Sequence, residues 1–245
     1  MRSTDTYTYD DLFFEYDQRT EPRVSYLVCS IPRSGSSLLC QLLGGTGHAG
    51  APAEFFHPEK MKVLKRRWGV EDLDAYLREL LTRKTSPNGV FGVKAHWGQY
   101  QPAVGEADPR PIFPNVRPVS ITRRDRLRQA VSWVRALQTL QWNTGQQPHG
   151  EHPEVFDFDD ITQKLVRIDR EEDMWDALFD RYGLEVHRIV YEDFVEAQEQ
   201  TVREVLDAIG VDAPADLAMP SQVLDRQADE RSEEWVERYL SEASA

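Results

Sequence analysis

Residues 29 to 43, CSIPRSGSSLLCQLL, pass from an apolar run through arginine, serines and glycine into a leucine-rich segment. Those residue types at that spacing can cradle an anion. A loop from a strand into a helix presents successive backbone N–H groups, and the helix start adds partial positive charge. Gly35 permits close backbone approach, Ser34, Ser36 and Ser37 offer hydroxyls, and Arg33 offers a bidentate charged fork. A nucleoside triphosphate loop needs an earlier glycine and a Gly-Lys-Ser/Thr ending. The first glycine and the lysine are both absent, so this loop is not built to follow a γ-phosphate. The plain alternative is a Ser-rich, capped strand–helix turn.

A second basic feature lies downstream. Residues 117 to 135 hold arginines at 117, 123, 124, 126, 128 and 135 and a single acid, Asp125. In a chain of net charge −13, such an island points to a local anionic ligand or to pairing with the acidic segment 151–180. Asp125 is placed to cap a helix. Leu127, Ala130, Val131, Val134 and Leu137 then form one apolar stripe, with Arg128, Ser132 and Arg135 opposite.

Acid–base chemistry has three candidates. Glu54 stands beside Phe55 and Phe56, and an apolar flank can raise a carboxylate toward working pH. His57 and His96 are rival bases, although a lone histidine near aromatics is more often structural. Lys94 falls at a strand end, where it touches an anion or acceptor unless it is a surface cation. Trp97, Trp133 and Trp142 can stack on a flat ligand face, with core packing as the default for any one of them.

The elements that position these groups follow from periodicity. Apolar runs at 24–30, 90–95, 119–122 and 184–191 read as strands. Helical patterns fall at 36–43, 71–84, 125–141, 159–182 and 195–209. Residues 101–118, with five prolines, and 143–158 read as connections. Strands alternating with helices imply an α/β fold: a three-layer sandwich with a mostly parallel central sheet and ligands at the carboxyl ends of the strands. The 245 residues suffice for one full core, and 1–245 reads as a single domain. No apolar run reaches the roughly 20 residues of a membrane helix, and no apolar signal core opens the chain, so a cytoplasmic location is expected. Cys29 and Cys40 read as buried thiols. The acidic balance speaks against a nucleic-acid partner.

Five stretches carry a resemblance: PRSGSSLL (32–39), APAEFF (51–56), SPNGVFGVKAHW (86–97), RRDRLRQAVSWVRALQT (123–139) and LDRQADERSEEWVERY (224–239). In that order they resemble the bacterial trehalose 2-sulfotransferase family, enzymes that use 3′-phosphoadenosine 5′-phosphosulfate (PAPS). The resemblance implies a P-loop-like sulfotransferase fold. It implies that Arg33, Ser34, Gly35, Ser36 and Ser37 bind the 5′-phosphosulfate and that Ser132, with Arg124 or Arg123, binds the 3′-phosphate. Arg226 and Gln227 would close over the cofactor. Glu54 would deprotonate an acceptor hydroxyl, with Arg33 stabilising charge on the bridging oxygen. Lys94, His96, Trp97 and Trp142 would flank a carbohydrate or glycolipid acceptor. No metal is implied, and a homodimer is compatible with the sequence. The chain departs from the family at Ala51 and Ala53, where the family carries an acid and an amide. A small-molecule kinase and a non-catalytic nucleotide-binding module are the rival readings.

Overall fold

The computed structural model describes residues 12–142, 154–220 and 230–244. At its centre is β1, Val24–Ser30, buried along its whole length. A strand covered on both faces must be apolar throughout, and VSYLVCS nearly is. It pairs with β2 (Val90–His96) on one side and β3 (Arg117–Thr122) on the other, and β4 (His187–Val190) lies beyond β3. All three pairings are parallel.

The two faces of β1 feed two cores. Val24, Tyr26 and Val28 pack with α1 (Ser36–Gly45) and α8 (Gln198–Ala208). Leu27 and Cys29 face the larger core. That core takes residues from α2 (Pro58–Trp68), α3 (Leu73–Lys84), α4 (Trp97–Val104), α5 (Arg126–Thr139), α6 (Phe158–Tyr182) and α9 (Glu230–Ala243). A short α7, Tyr191–Glu196, follows β4 directly. Helices on both faces of a parallel sheet make the expected three-layer α/β sandwich. Cys29 and Cys40 are both buried. Among the described residues no helix is long and apolar enough to cross a membrane.

Register brings the chemistry together. Ser30 lies opposite His96 on one side and Ile121 on the other, so the loop leaving β1 starts between the ends of β2 and β3. Ala53 forms a parallel bridge with Val93, and the Lys94 N–H donates to the Ala53 carbonyl at 3.0 Å. That short addition to the edge of β2 delivers Glu54 beside Lys94.

Helices α2 and α4 run where the sequence suggested none. The segment of α2 is mostly charged, with Leu64 as its one fully buried side chain, so its apolar signal is weak. Helix α4 contains Pro102, which argued for a connection. Leu137, expected on the buried stripe of α5, is 45% exposed. Glu192 accepts the backbone N–H groups of Arg124 and Asp125, at 2.9 and 3.1 Å, just ahead of α5.

Candidate active site

The loop between β1 and α1 carries two left-handed residues, Arg33 at φ 68° and Gly35 at φ 87°. Left-handed backbone is unusual for arginine and marks a constrained site. Helix α1 begins without a side-chain cap, so its first N–H groups are left to a ligand or water. Ser34 Oγ is buried with no hydrogen-bond partner among the described residues. Gln129 of α5 braces the loop through a 2.9 Å bond to the Pro32 carbonyl.

Arg33 reaches across to α5 and donates from Nε to Ser132 Oγ at 2.9 Å. It also donates to the backbone carbonyl of Trp142. Burial, with the nearby guanidiniums of Arg123 and Arg135, pushes its pKa down to about 10, which still leaves it charged at neutral pH. Arg123 stands over the Tyr191 ring at 5.1 Å. The same ring closes against Gly35, where an added Cβ would come within 2.3 Å of it. Arg124 points elsewhere and pairs with exposed Asp193 at 2.9 Å. The structure therefore gathers Arg33, Ser132 and Arg123 and leaves Arg124 at the surface.

Opposite the loop sits the carboxylate. Glu54 Oε1 accepts from Lys94 Nζ at 2.7 Å and Oε2 accepts from Gln99 Nε2 at 2.8 Å. Lys94 also donates to Ser37 Oγ at 2.9 Å, joining the loop helix to the carboxylate. Burial alone would raise the Glu54 pKa, but Lys94, His96 and Lys60 outweigh it and hold the carboxyl well below its ordinary range. This corrects the expectation from the Phe55–Phe56 flank. Both rings are buried in the core, and what Glu54 meets is an ammonium and an amide.

His96 bonds through Nδ1 to Ser30 Oγ at 3.1 Å, and its Nε2 lies 3.7 Å from Glu54. Burial pushes its pKa down to about 4 against the pull of Glu54, so the imidazole is neutral at working pH. Trp97 and Trp133 are core residues, and Trp97 packs edge-on to Trp175 at 5.0 Å. Trp142 is partly exposed, and its backbone carbonyl touches Arg33. Arg226 and Gln227 lie outside the described residues. Sequence reasoning did not single out Gln99 or Tyr191. Both follow the ends of strands, the position where this sheet type places ligands, and that was the available signal.

The model of the Stf0 sulphotransferase family matches residues 25–242. Trehalose 2-sulfotransferase of Mycobacterium tuberculosis is 32% identical, over 89% of this chain and 95% of its own length. Its counterpart from Mycolicibacterium smegmatis is 31% identical over the same shares. Among solved structures, a sulfotransferase from Alicyclobacillus acidocaldarius aligns with a TM-score of 0.49 at 16% identity, covering 92% of this chain and 94% of that one.

Proposed function

The chain belongs to the Stf0 sulphotransferase family and is a sulfotransferase, and from that premise we propose that its donor is PAPS, its acceptor a carbohydrate or glycolipid hydroxyl, and its general base Glu54. The observation that carries the reading is Lys94, whose ammonium links Ser37 of the loop helix to the Glu54 carboxylate. An anion cradle and a buried carboxylate on one cation suit a group transfer from a bound anion to a neighbouring hydroxyl.

The donor side fits a bisphosphorylated nucleotide. The uncapped start of α1, the partnerless Ser34 hydroxyl and the charged Arg33 together ask for an anion. When bound, PAPS supplies a sulfuryl group carried on its 5′-phosphate. In this reading Arg33, Gly35, Ser34, Ser36, Ser37 and the loop amides hold that end, and Arg33 offsets charge on the bridging oxygen. Ser132 with Arg123 or Arg124 holds the 3′-phosphate. The resemblance assigns Arg226 and Gln227 to closing over the nucleotide.

On the acceptor side Glu54 takes the proton of the attacking hydroxyl. Its low pKa keeps it ionised, hence in the accepting form, at any working pH. Lys94 and Gln99 each occupy one oxygen, and each oxygen keeps a second lone-pair site for the hydroxyl. Lys94 divides its charge between Ser37 and Glu54. An anion in the loop would draw that charge away from Glu54 and make it a stronger base.

Radiolabelled PAPS with a panel of neutral sugars and glycolipids tests the reading. A sulfated product is expected, together with adenosine 3′,5′-bisphosphate. That nucleotide should bind without Mg²⁺ and resist displacement by ATP. No sulfated product, together with ATP binding tighter than the bisphosphate, would overturn the donor assignment.

A further inference from the structure

Glu171 is a buried acid that the proposed chemistry leaves unused. It lies midway along α6 and is 6% exposed. Its Oε1 accepts from Arg167 Nε at 2.6 Å, whereas Oε2 is buried with no hydrogen-bond partner among the described residues. A buried carboxylate oxygen without a partner is costly and calls for a physical reason.

Its surroundings supply one. Gly98, near the start of α4, is exposed, and a Cβ there would stand 3.0 Å from Arg167 Nη2 and 3.6 Å from Glu171 Oε1. The missing side chain lets the pair lie against the start of α4. The next residue, Gln99, donates to Glu54. On the other flank the Arg167 guanidinium stands 5.0 Å from the Trp133 ring, adjacent in sequence to Ser132, which receives Arg33. One turn further along α6, Trp175 Nε1 donates to the Ser30 carbonyl at 3.4 Å, at the mouth of the loop. The pair thus stands between the elements that carry Glu54 and those that carry Arg33.

We propose that Glu171 and Arg167 bind the acceptor, and that the acceptor they select is a neutral polyol with two adjacent hydroxyls. The proposal rests on the sulfotransferase reading of the site. The carboxylate accepts one hydroxyl and the guanidinium donates to the neighbouring oxygen. Glu171 Oε2 turns toward the acceptor about the soft terminal torsion of a glutamate. A hydroxyl can donate to the Glu171 carboxylate, whereas an anionic oxygen has no proton to give it.

Steady-state kinetics of Glu171→Gln and Gly98→Ala, with PAPS and the best neutral sugar of the panel, decide it. Glu171→Gln should raise the acceptor KM about 10- to 100-fold, the loss of a hydrogen bond to a charged group. The PAPS KM and the affinity for adenosine 3′,5′-bisphosphate should stay within about twofold. Gly98→Ala alters no charge and favours the helix, and its methyl presses on the far end of a flexible arginine. It should raise the acceptor KM several-fold at an unchanged thermal midpoint, and it decides the matter if Glu171→Gln folds poorly. A purely structural ion pair would instead lower the thermal midpoint of Glu171→Gln and leave both KM values alone. If the wild type is active and neither variant moves the acceptor KM, this proposal is wrong while the sulfotransferase reading stands. If the wild type sulfates no sugar, the carbohydrate reading fails and this proposal fails with it.

Discussion

The Lys94 ammonium stands 2.7 Å from the Glu54 carboxylate, with side-chain exposures of 2% and 17%. That pair sets the charge of Glu54. Burial favours the neutral acid, and the Lys94 ammonium opposes it more strongly than any other neighbour. Lys94→Met removes the main counter-charge and leaves the burial in place. The acidic limb of kcat/KM should then move up by about one pH unit or more, equivalent to ~1.4 kcal/mol per unit. A pH–rate profile of wild type and variant reads this directly. An unmoved limb would mean that the limb belongs to another group.

Glu54→Gln keeps the size and part of the hydrogen bonding but cannot take a proton. Turnover should fall about 10²- to 10⁴-fold, the usual share of a positioned general base. The affinity for adenosine 3′,5′-bisphosphate, measured by calorimetry, should hardly change, because the nucleotide is assigned to the loop and α5. Near-normal turnover in Glu54→Gln with a dead His96→Ala would transfer the role of base to His96.

The two adjacent arginines separate by environment. Arg123 is packed over Tyr191, which closes on the loop; a loss in Arg123→Ala that falls equally on all adenine nucleotides would mark it as a brace of that ring and leave the 3′-phosphate to Arg124. Arg124 is held by Asp193 in an exposed pair, and such pairs contribute little. A phosphate can displace that carboxylate. Arg124→Ala and Ser132→Ala should therefore cost roughly 10- to 150-fold for adenosine 3′,5′-bisphosphate and little for the nucleotide lacking the 3′-phosphate. Equal losses on both nucleotides would remove Arg124 from the 3′-phosphate.

The strands were legible because a doubly covered sheet demands apolar runs, and VSYLVCS and VFGVKA leave little alternative. The loop was legible because serine, glycine and arginine at a strand end have few other uses. The Glu54 environment was not. Its neighbours in sequence are phenylalanines, yet its charge is set by Lys94, 40 residues away, through the bridge of Ala53 to Val93. Gln99 and Glu171 were equally hidden, because Gln99 acquires meaning only beside Glu54 and Glu171 only where α6 meets the start of α4. Periodicity also missed α4, since its proline outweighed the aromatic residues that bury it.

His96 should make stability fall on mild acidification. Its pKa is 6.5 when free and about 4 in the fold, so the unfolded chain takes up a proton first. The stability it contributes is whole above pH 6.5 and is lost as pH falls toward 4, approaching about 1.4 kcal/mol per pH unit within that window. The depressed Glu54 acts at lower pH, below its free value of 4.5. Thermal midpoints at about pH 7 and about pH 5 should therefore drop more in the wild type than in His96→Gln. Parallel drops in the two proteins would show that His96 is not the titrating group.

Gly35→Ala should disable the donor loop through two separable costs. Gly35 has φ 87°, and an alanine held there pays about 1–2 kcal/mol of left-handed strain. The new Cβ would also stand 2.3 Å from Cδ2 and 2.8 Å from Cε2 of Tyr191. The ring cannot withdraw freely, because Arg123 lies over it. Either the loop or Arg123 must move, and both are assigned to the nucleotide. Affinity for adenosine 3′,5′-bisphosphate should drop about 100-fold or more, ~2.7 kcal/mol, with a lower thermal midpoint. Tyr191→Ala added to Gly35→Ala removes the clash and leaves the strain. The double variant should thus regain part of the lost midpoint and retain a deficit of about the left-handed cost. Recovery of the whole deficit would show that only the clash matters, and no recovery at all would show that the ring was never the obstacle.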